Sequence, residues 1–261
     1  MGCAGGALPA VTPAMDRLAA RGVRFRNAFA VLAICSPSRA AVLTGLYGSV
    51  NGVTAVGSDR LRPGAPTYAQ RLRAAGWRTG MAGKWHIGTT PVEAGFDTAA
   101  WFHSNGPYYN RKVTVDGVEG RAAEMIDEWV ATQTIRFLAA ATNDARPFVF
   151  WMCTQLPHMD HRHEWDVRPE SLAKFPAERM PLPATWNDDL TSRPAYLKTA
   201  RNRTQALEYG YDKPDAIRRH IARYLAAVHE TDAAIGRVLD ALDRLGLAER
   251  TVVIQIGRAH V

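Results

Sequence analysis

Six consecutive apolar residues, Phe148-Val149-Phe150-Trp151-Met152-Cys153, follow a stretch, 124–141, in which Ile126, Val130, Phe137, Leu138 and Ala141 recur at helical spacing. A strand without polar alternation has no face to give to water, and the helix before it supplies a crossover. The pair therefore predicts a parallel sheet covered on both faces. With 261 residues, 47% of them hydrophobic, the chain can bury a core around such a sheet as one α/β domain. The pattern also occurs upstream, where 67–75 reads as a helix ended by Gly76 and 77–82 as a strand running into Gly83-Lys84-Trp85-His86-Ile87-Gly88. Ligands of α/β sheets collect at the carboxyl ends of strands, which singles out Lys84, His86 and the residues after Cys153, namely Thr154-Gln155-Leu156-Pro157-His158.

Between these elements, Thr12, Pro13 and Gly22 bracket a helix with Met15, Leu18 and Ala19 on one face. Asp116-Gly117 between Val113-Thr114-Val115 and Val118 signals a hairpin. His103, Ser104, Tyr108 and Tyr109, in the aromatic, turn-rich stretch 101–120, read equally as a substrate rim or as ordinary loop residues. The stretch 175–212, with four prolines, reads as irregular. Asp215 is expected to cap a long scaffold helix whose stripe runs Ile217, Ile221, Tyr224, Leu225, Val228, Ile235, Leu239, Leu242 and Leu245 to a stop at Gly246. Thr251-Val252-Val253-Ile254 reads as the next buried strand.

The formal charge of +7 comes from 27 Arg against 5 Lys, scattered without a basic run or a nucleic-acid motif. A nucleic-acid partner is not expected. The excess suits an anionic substrate, and it equally suits Arg-biased codon usage. Cys3, Cys35 and Cys153 are odd in number and lack metal spacing, so they indicate neither a disulfide framework nor a zinc site. His158-x-x-His161-x-His163 with Asp160 suggests zinc, but it lies on a loop without a fourth ligand, and surface or rim histidines are the preferred reading. No run of about 18 apolar residues and no basic-then-apolar leader is present, so the chain as read encodes neither a membrane span nor a signal peptide.

One stretch combines a potential nucleophile, a helix start and a fixed cation: Ile34-Cys35-Ser36-Pro37-Ser38-Arg39-Ala40-Ala41-Val42-Leu43-Thr44-Gly45. Ser36 suits the N-cap, Pro37 the first helical position and Gly45 the C′ stop, so 38–44 is predicted helical. Cys35 then sits where free N–H groups and the helix dipole favour an anion, with Arg39 able to reach back. A buried structural cysteine is the plain alternative. A tyrosine-phosphatase loop is not, since it wants Arg six residues after the Cys, where Ala41 stands.

Cys35-x-Pro37-Ser38-Arg39-x-x-x-Leu43-Thr44-Gly45 resembles, at every specified position, the signature of type I sulfatases, whose cysteine is oxidised to formylglycine. Gly83-Lys84-Trp85-His86-x-Gly88 resembles the second motif of that family, His158 after Pro157 stands where it places a third site residue, and Gly95-Phe96-Asp97 is also similar. The resemblance implies a fold like the alkaline-phosphatase superfamily, an α/β sandwich with a central, mainly parallel sheet. It implies hydrolysis of sulfate monoesters, aryl or carbohydrate. One hydroxyl of the hydrated aldehyde would attack sulfur and the other would collapse back to release sulfate. The implied catalytic residues are Cys35 as formylglycine precursor, Arg39 stabilising its hydrate, Lys84 and His158 on the sulfate with His158 placed to protonate the leaving oxygen, and His86 assisting collapse. The alternatives are a phosphonate monoester or phosphodiester hydrolase with the same nucleophile, and a non-catalytic anion-binding domain. A formylglycine-generating or other maturing enzyme is an implied partner, and members are often exported.

The family binds calcium through the formylglycine at position 35 and four side chains. Two are adjacent aspartates at the end of a preceding strand, and others follow the strand equivalent to 251–254. Here no such strand precedes residue 12, and Gln255-Ile256-Gly257-Arg258-Ala259-His260-Val261 follow Ile254. The expectation is that 1–255 is a partial catalytic domain lacking its first metal-binding strand and C-terminal part, and that 256–261 is a non-native tail. A divalent ion about 4 Å from a unit charge is worth about 8 kcal/mol gross at an effective dielectric near 20. The chain alone is therefore expected to bind no calcium tightly and to turn nothing over.

Overall fold

The computed structural model describes residues 1–6, 11–57 and 59–256. Helix α1 (Pro13–Ala20) is followed by α2 (Cys35–Thr44), the single turn α3 (Gly48–Asn51) and α4 (Tyr68–Ala74). Strands β1 (Arg78–Lys84), β2 (Thr98–Phe102), β3 (Arg111–Val115) and β4 (Val118–Ala122) come next, then α5 (Ile126–Ala141) and β5 (Phe148–Cys153). The short α6 (Pro169–Leu172), α7 (Arg201–Glu208) and the long α8 (Pro214–Arg244) complete the chain.

The sheet runs β4-β3-β2-β1-β5. Its centre is parallel, β1 pairing with β2 and with β5, and it carries an antiparallel extension through β3 and β4. The β3–β4 hairpin turns at Asp116 and Gly117, both at positive φ, as the Asp-Gly pair predicts. Strand alternation sorts side chains to two cores. Ala82, Ala100, Phe102 and Met152 meet Ile126, Trp129 and Val130 of α5 on one face. Met81, Ala99 and Trp151 meet Ala40 and Leu43 of α2 and Ala69 of α4 on the other. Both faces of the sheet carry helices, but β5 lies at its edge and every residue of the apolar run except Cys153 is only partly buried, less than the run predicts. Thr67 caps α4 with a reciprocal box to Gln70.

Four expectations need correction. Helix α2 begins at Cys35 rather than at 38, because Ile34 provides the first helical carbonyl to Ser38 N (2.9 Å). Pro37, which lacks an N–H, fits the third helical position as well as the first, since neither position's N–H is bonded within the helix. On α8, Lys213 occupies the cap position and Asp215 the first turn. Its fully buried face is also built of Ala216, Ala222, Ala226, Ala227, Ala234 and Ala241, small residues that let neighbouring helices approach closely, while Tyr224 is 42% exposed. The stretch 175–212 contains α7, whose eight residues bury none of their number and so show no apolar stripe to read. The run 251–254 is not a strand: Val252 and Ile254 are 87% and 77% exposed, and no ladder joins them to the sheet. Apolar residues with β propensity pair only where an edge is presented to them, and Thr251 N instead closes a turn on Ala248 O. Of the proposed tail 256–261, Ile256 is exposed and 257–261 lie outside the described residues.

Candidate active site

Three chain segments meet at the carboxyl end of β1. The first is the start of α2, which holds Cys35 partly exposed in its opening turn. Gly45 ends this helix at φ 69°, as its motif position predicts. Ser36, next to Cys35, is fully buried, and among the described residues its hydroxyl has no partner.

The second segment is the end of β1. Gly83 sits at φ 108°, and a Cβ there would run into the carbonyl oxygen of Cys153, so only glycine lets β1 and β5 close at this point. The next residue, Lys84, is fully buried and donates from Nζ to Cys35 Sγ (3.4 Å) and to Asn105 Oδ1 (2.6 Å). A buried ammonium is tolerated only with partners of this kind. Trp85 anchors the motif: it is fully buried edge-on to Phe96 and Trp151, with Nε1 donating to Thr89 O. The backbone then turns at His86, φ 59°, whose buried ring lies edge-to-face on His103 at 5.4 Å. Burial, and then the positive neighbours His86 and Lys84, hold the His103 imidazole below its ordinary pKa.

Arg39 reaches to the same junction from α2. Its Nη1 donates to Lys84 O (2.6 Å), and it lies against the Cys153 thiol, whose pKa burial raises and Arg39 opposes. Arg39 thus fastens α2 to the ends of β1 and β5, and Cys153 is a buried core residue.

The third segment is the turn after β5. Asp127, buried near the start of α5, accepts from Gln155 N (2.8 Å) and Leu156 N (3.2 Å), and Thr231 Oγ1 of α8 donates to it as well. The peptide Leu156-Pro157 is cis. His158 follows, its Nδ1 2.8 Å from Met159 O and its Nε2 2.8 Å from Asn105 Nδ2, while Tyr108 Oη donates to His158 O (2.6 Å). Burial raises the Tyr108 pKa, which keeps the phenol a donor.

Lys84, which bonds Cys35, is therefore linked to His158 through one residue that the sequence patterns do not single out, Asn105. Those patterns draw attention to His103, Ser104 and Tyr108, and the signal for Asn105 is only its place after β2, at the carboxyl edge of the sheet. His161 Nδ1 lies 3.9 Å from Asp160 Oδ2, but the two do not form part of a metal-type cluster among the described residues. That carboxylate is spent on Arg162 and on the backbone N–H groups of Arg162 and Glu164.

The donor set does not suit the calcium that the family resemblance implies. Among the described residues no group of three or more His, Cys, Asp or Glu side chains could hold a metal ion, and the charged groups that meet around Cys35 are the cations Lys84 and Arg39. Such surroundings fit an anion and not a divalent cation.

Fold and site together define an α/β protein with a cysteine, a buried lysine and a histidine gathered at the carboxyl ends of its parallel strands. The sulfatase family model matches residues 1–257, and the chain belongs to that family. It is 34% identical to the N-acetylglucosamine-6-O-sulfatase of Bacteroides thetaiotaomicron over 80% of this chain and 36% of that protein. With human arylsulfatase A the identity is 31% over 93% of this chain and 46% of that one. Among solved structures, BT4656 in complex with its substrate D-glucosamine-2-N,6-O-disulfate superposes with a TM-score of 0.78 at 27% identity, over 95% of this chain and 60% of that one. The phosphonate monoester hydrolase SpPMH from Silicibacter pomeroyi, at 20% identity, shares the fold with a TM-score of 0.68 over 95% of this chain and 58% of that one. The chain thus spans about a third to a half the length of the curated relatives named here.

Proposed function

We propose that this chain supplies the nucleophile and the sulfate-gripping side chains of a sulfatase, and that the whole protein hydrolyses sulfate monoesters, aryl or carbohydrate. The observation that carries this reading is the buried Lys84 ammonium 3.4 Å from Cys35 Sγ at the opening of α2. Formylglycine at position 35 would supply a hydrated aldehyde as the attacking hydroxyl, and a sulfatase-maturing enzyme is then a required partner. Everything else falls to side chains in place. Lys84 and the first-turn N–H groups of α2 receive sulfate oxygens, since both are donors that the negative charge of a sulfate needs. Arg39 keeps Cys35 in register with Lys84 by tying α2 to the β1 carbonyl. His158, whose Nε2 faces the Asn105 amide that Lys84 also bonds, exchanges a proton with the ester's leaving oxygen. His86, packed edge-on against His103, would take the proton of the second hydroxyl as the sulfated hydrate expels sulfate and re-forms the aldehyde. The described residues form no calcium site.

A carbohydrate sulfate is the favoured class, on the likeness to the N-acetylglucosamine-6-O-sulfatase and to BT4656. The phosphonate hydrolase alternative rests on fold alone. The test compares turnover of an aryl sulfate and an aryl phosphodiester by the whole protein and its Cys35→Ala variant. Sulfate turnover that is lost in Cys35→Ala supports the proposal. Preferential phosphodiester turnover favours the rival hydrolase. Sulfate binding without turnover, retained in Cys35→Ala, favours an anion-binding domain.

A further inference from the structure

Asn105 lies between two groups whose chemistry fixes its orientation. The Lys84 ammonium can only donate, so the amide oxygen faces it, at 2.6 Å. The amide nitrogen then faces His158 Nε2 at 2.8 Å, and an NH2 group can only donate. At the other side of that ring Nδ1 meets the Met159 carbonyl at 2.8 Å, which can only accept. One assignment satisfies all three contacts: proton on Nδ1, lone pair on Nε2, and the amide bridging lysine to histidine.

The backbone on either side of Asn105 is fastened. Arg111, stacked over the Phe102 ring at 5.2 Å, donates to Ser104 O, and Gln155 Nε2 donates to Gly106 O (2.7 Å). A side chain at position 106 would strike the Arg111 guanidinium, so Gly106 is needed for this clasp. Gln155 also belongs to the turn that presents His158, and Tyr108 reaches that turn through His158 O. The loop carrying Asn105 and the turn carrying His158 are thus pinned to each other at three points, two main-chain and one through the amide.

We propose that Asn105 is a positioning residue: its amide sets the spacing of Lys84 and His158, keeps the ammonium on the residue-35 nucleophile, and holds the resting His158 ring as the Nδ1–H tautomer with Nε2 as acceptor. His158 therefore waits as a base. To protonate the leaving oxygen it must first be released from the Asn105 amide and take a proton from solvent water at Nε2. The tautomer and spacing rest on geometry alone. The catalytic consequence rests on the sulfate-ester reading above.

The two parts are tested separately. In 15N NMR of the folded chain, with His158 assigned by its loss in His158→Gln, the expected signature is a pyridine-type Nε2, a protonated Nδ1, and a 15N–15N scalar coupling across the hydrogen bond to Asn105 Nδ2. Asn105→Asp, which replaces the donor with an acceptor, should turn His158 into an imidazolium at a pH where the parent ring is neutral. A protonated Nε2 in the parent, or a ring unchanged in Asn105→Asp, overturns the proposal. In the whole protein, Asn105→Ala is expected to lower kcat/KM for an aryl sulfate about 10- to 100-fold, chiefly through a raised KM, with the fold intact by circular dichroism. An active parent whose Asn105→Ala variant keeps kcat/KM within twofold overturns the catalytic part. A parent with no sulfate turnover counts against the sulfatase reading and leaves the NMR result standing.

Discussion

On the proposed function, Lys84 is the residue on which the chemistry turns, since a buried ammonium costs desolvation that an apolar side chain of similar volume would not. Among the described residues it donates to the Cys35 thiol and the Asn105 amide, and on the reading proposed above it also receives the incoming anion. Replacing it with methionine keeps most of the volume and removes the donor. In the whole protein Lys84→Met is expected to lower kcat for a sulfate ester by about 10² to 10³, the usual cost of one preorganised donor to a developing negative charge, with the fold intact by circular dichroism. A loss below threefold would show that Lys84 is not in the reaction. Cys35, Lys84, His86 and His158 could be read from the sequence because each stands in a motif or directly after an apolar strand. Asn105 could not, since it lies in a loop of no regular pattern and its meaning comes from two partners 21 and 53 residues away.

At the scale of elements, the site is held by carboxylates that point at backbone rather than at substrate. On α8, Glu230, Thr231 and Asp232 are consecutive and buried, and each is bonded to a different segment. Glu230 accepts from Arg168 N (2.9 Å) at the cap of α6, and Thr231 donates to Asp127, which holds the His158 turn. Asp232 accepts from Ala14 N and Met15 N (2.8 Å each), capping α1 from 218 and 217 residues away. Thr12, the expected cap of α1, instead bonds Gly2 N and Asp16, so a sequence-local rule is overridden by a tertiary one. The helix and sheet pattern was legible because burial imposes periods of 3.6 and 2. A cap supplied across the chain leaves no local trace, nor does a polar triplet inside an alanine-faced helix. Asp232→Ala would leave two buried N–H groups unpaired and should cost about 1–3 kcal/mol, measured from urea unfolding midpoints. Asp127→Ala should cost a similar amount and, in the whole protein, also reduce turnover through the His158 turn. Stability equal to the parent in both variants would remove these two carboxylates from the account.

For the whole molecule, charge decides what the chain alone can do. The cations that gather at Cys35, with no metal-type cluster among the described residues, lead to the expectation that calcium leaves the Tm of this chain unchanged. An upward shift would show a cation site that the described residues do not form. Stability should also depend on pH in a defined direction. His103 and His220 are both held below the ordinary value of 6.5, chiefly by burial. The unfolded chain then takes up protons that the folded chain refuses, so Tm should fall as pH drops below about 6.5. Asp160, whose carboxyl is lowered by Glu164 N–H, Arg162 N–H and the Arg162 guanidinium against the cost of burial, adds a further loss below about pH 4. A Tm independent of pH between 7 and 5 would contradict the placement of both imidazoles.

The central claim is that residue 35 acts as an oxidised cysteine. Mass spectrometry of the tryptic peptide 27–39 from the whole protein, purified in sulfate-ester-hydrolysing form, tests it most directly. The aldehyde or its hydrate is expected at position 35, at an occupancy that rises in step with specific activity across preparations. An intact thiol there in fully active protein would contradict it.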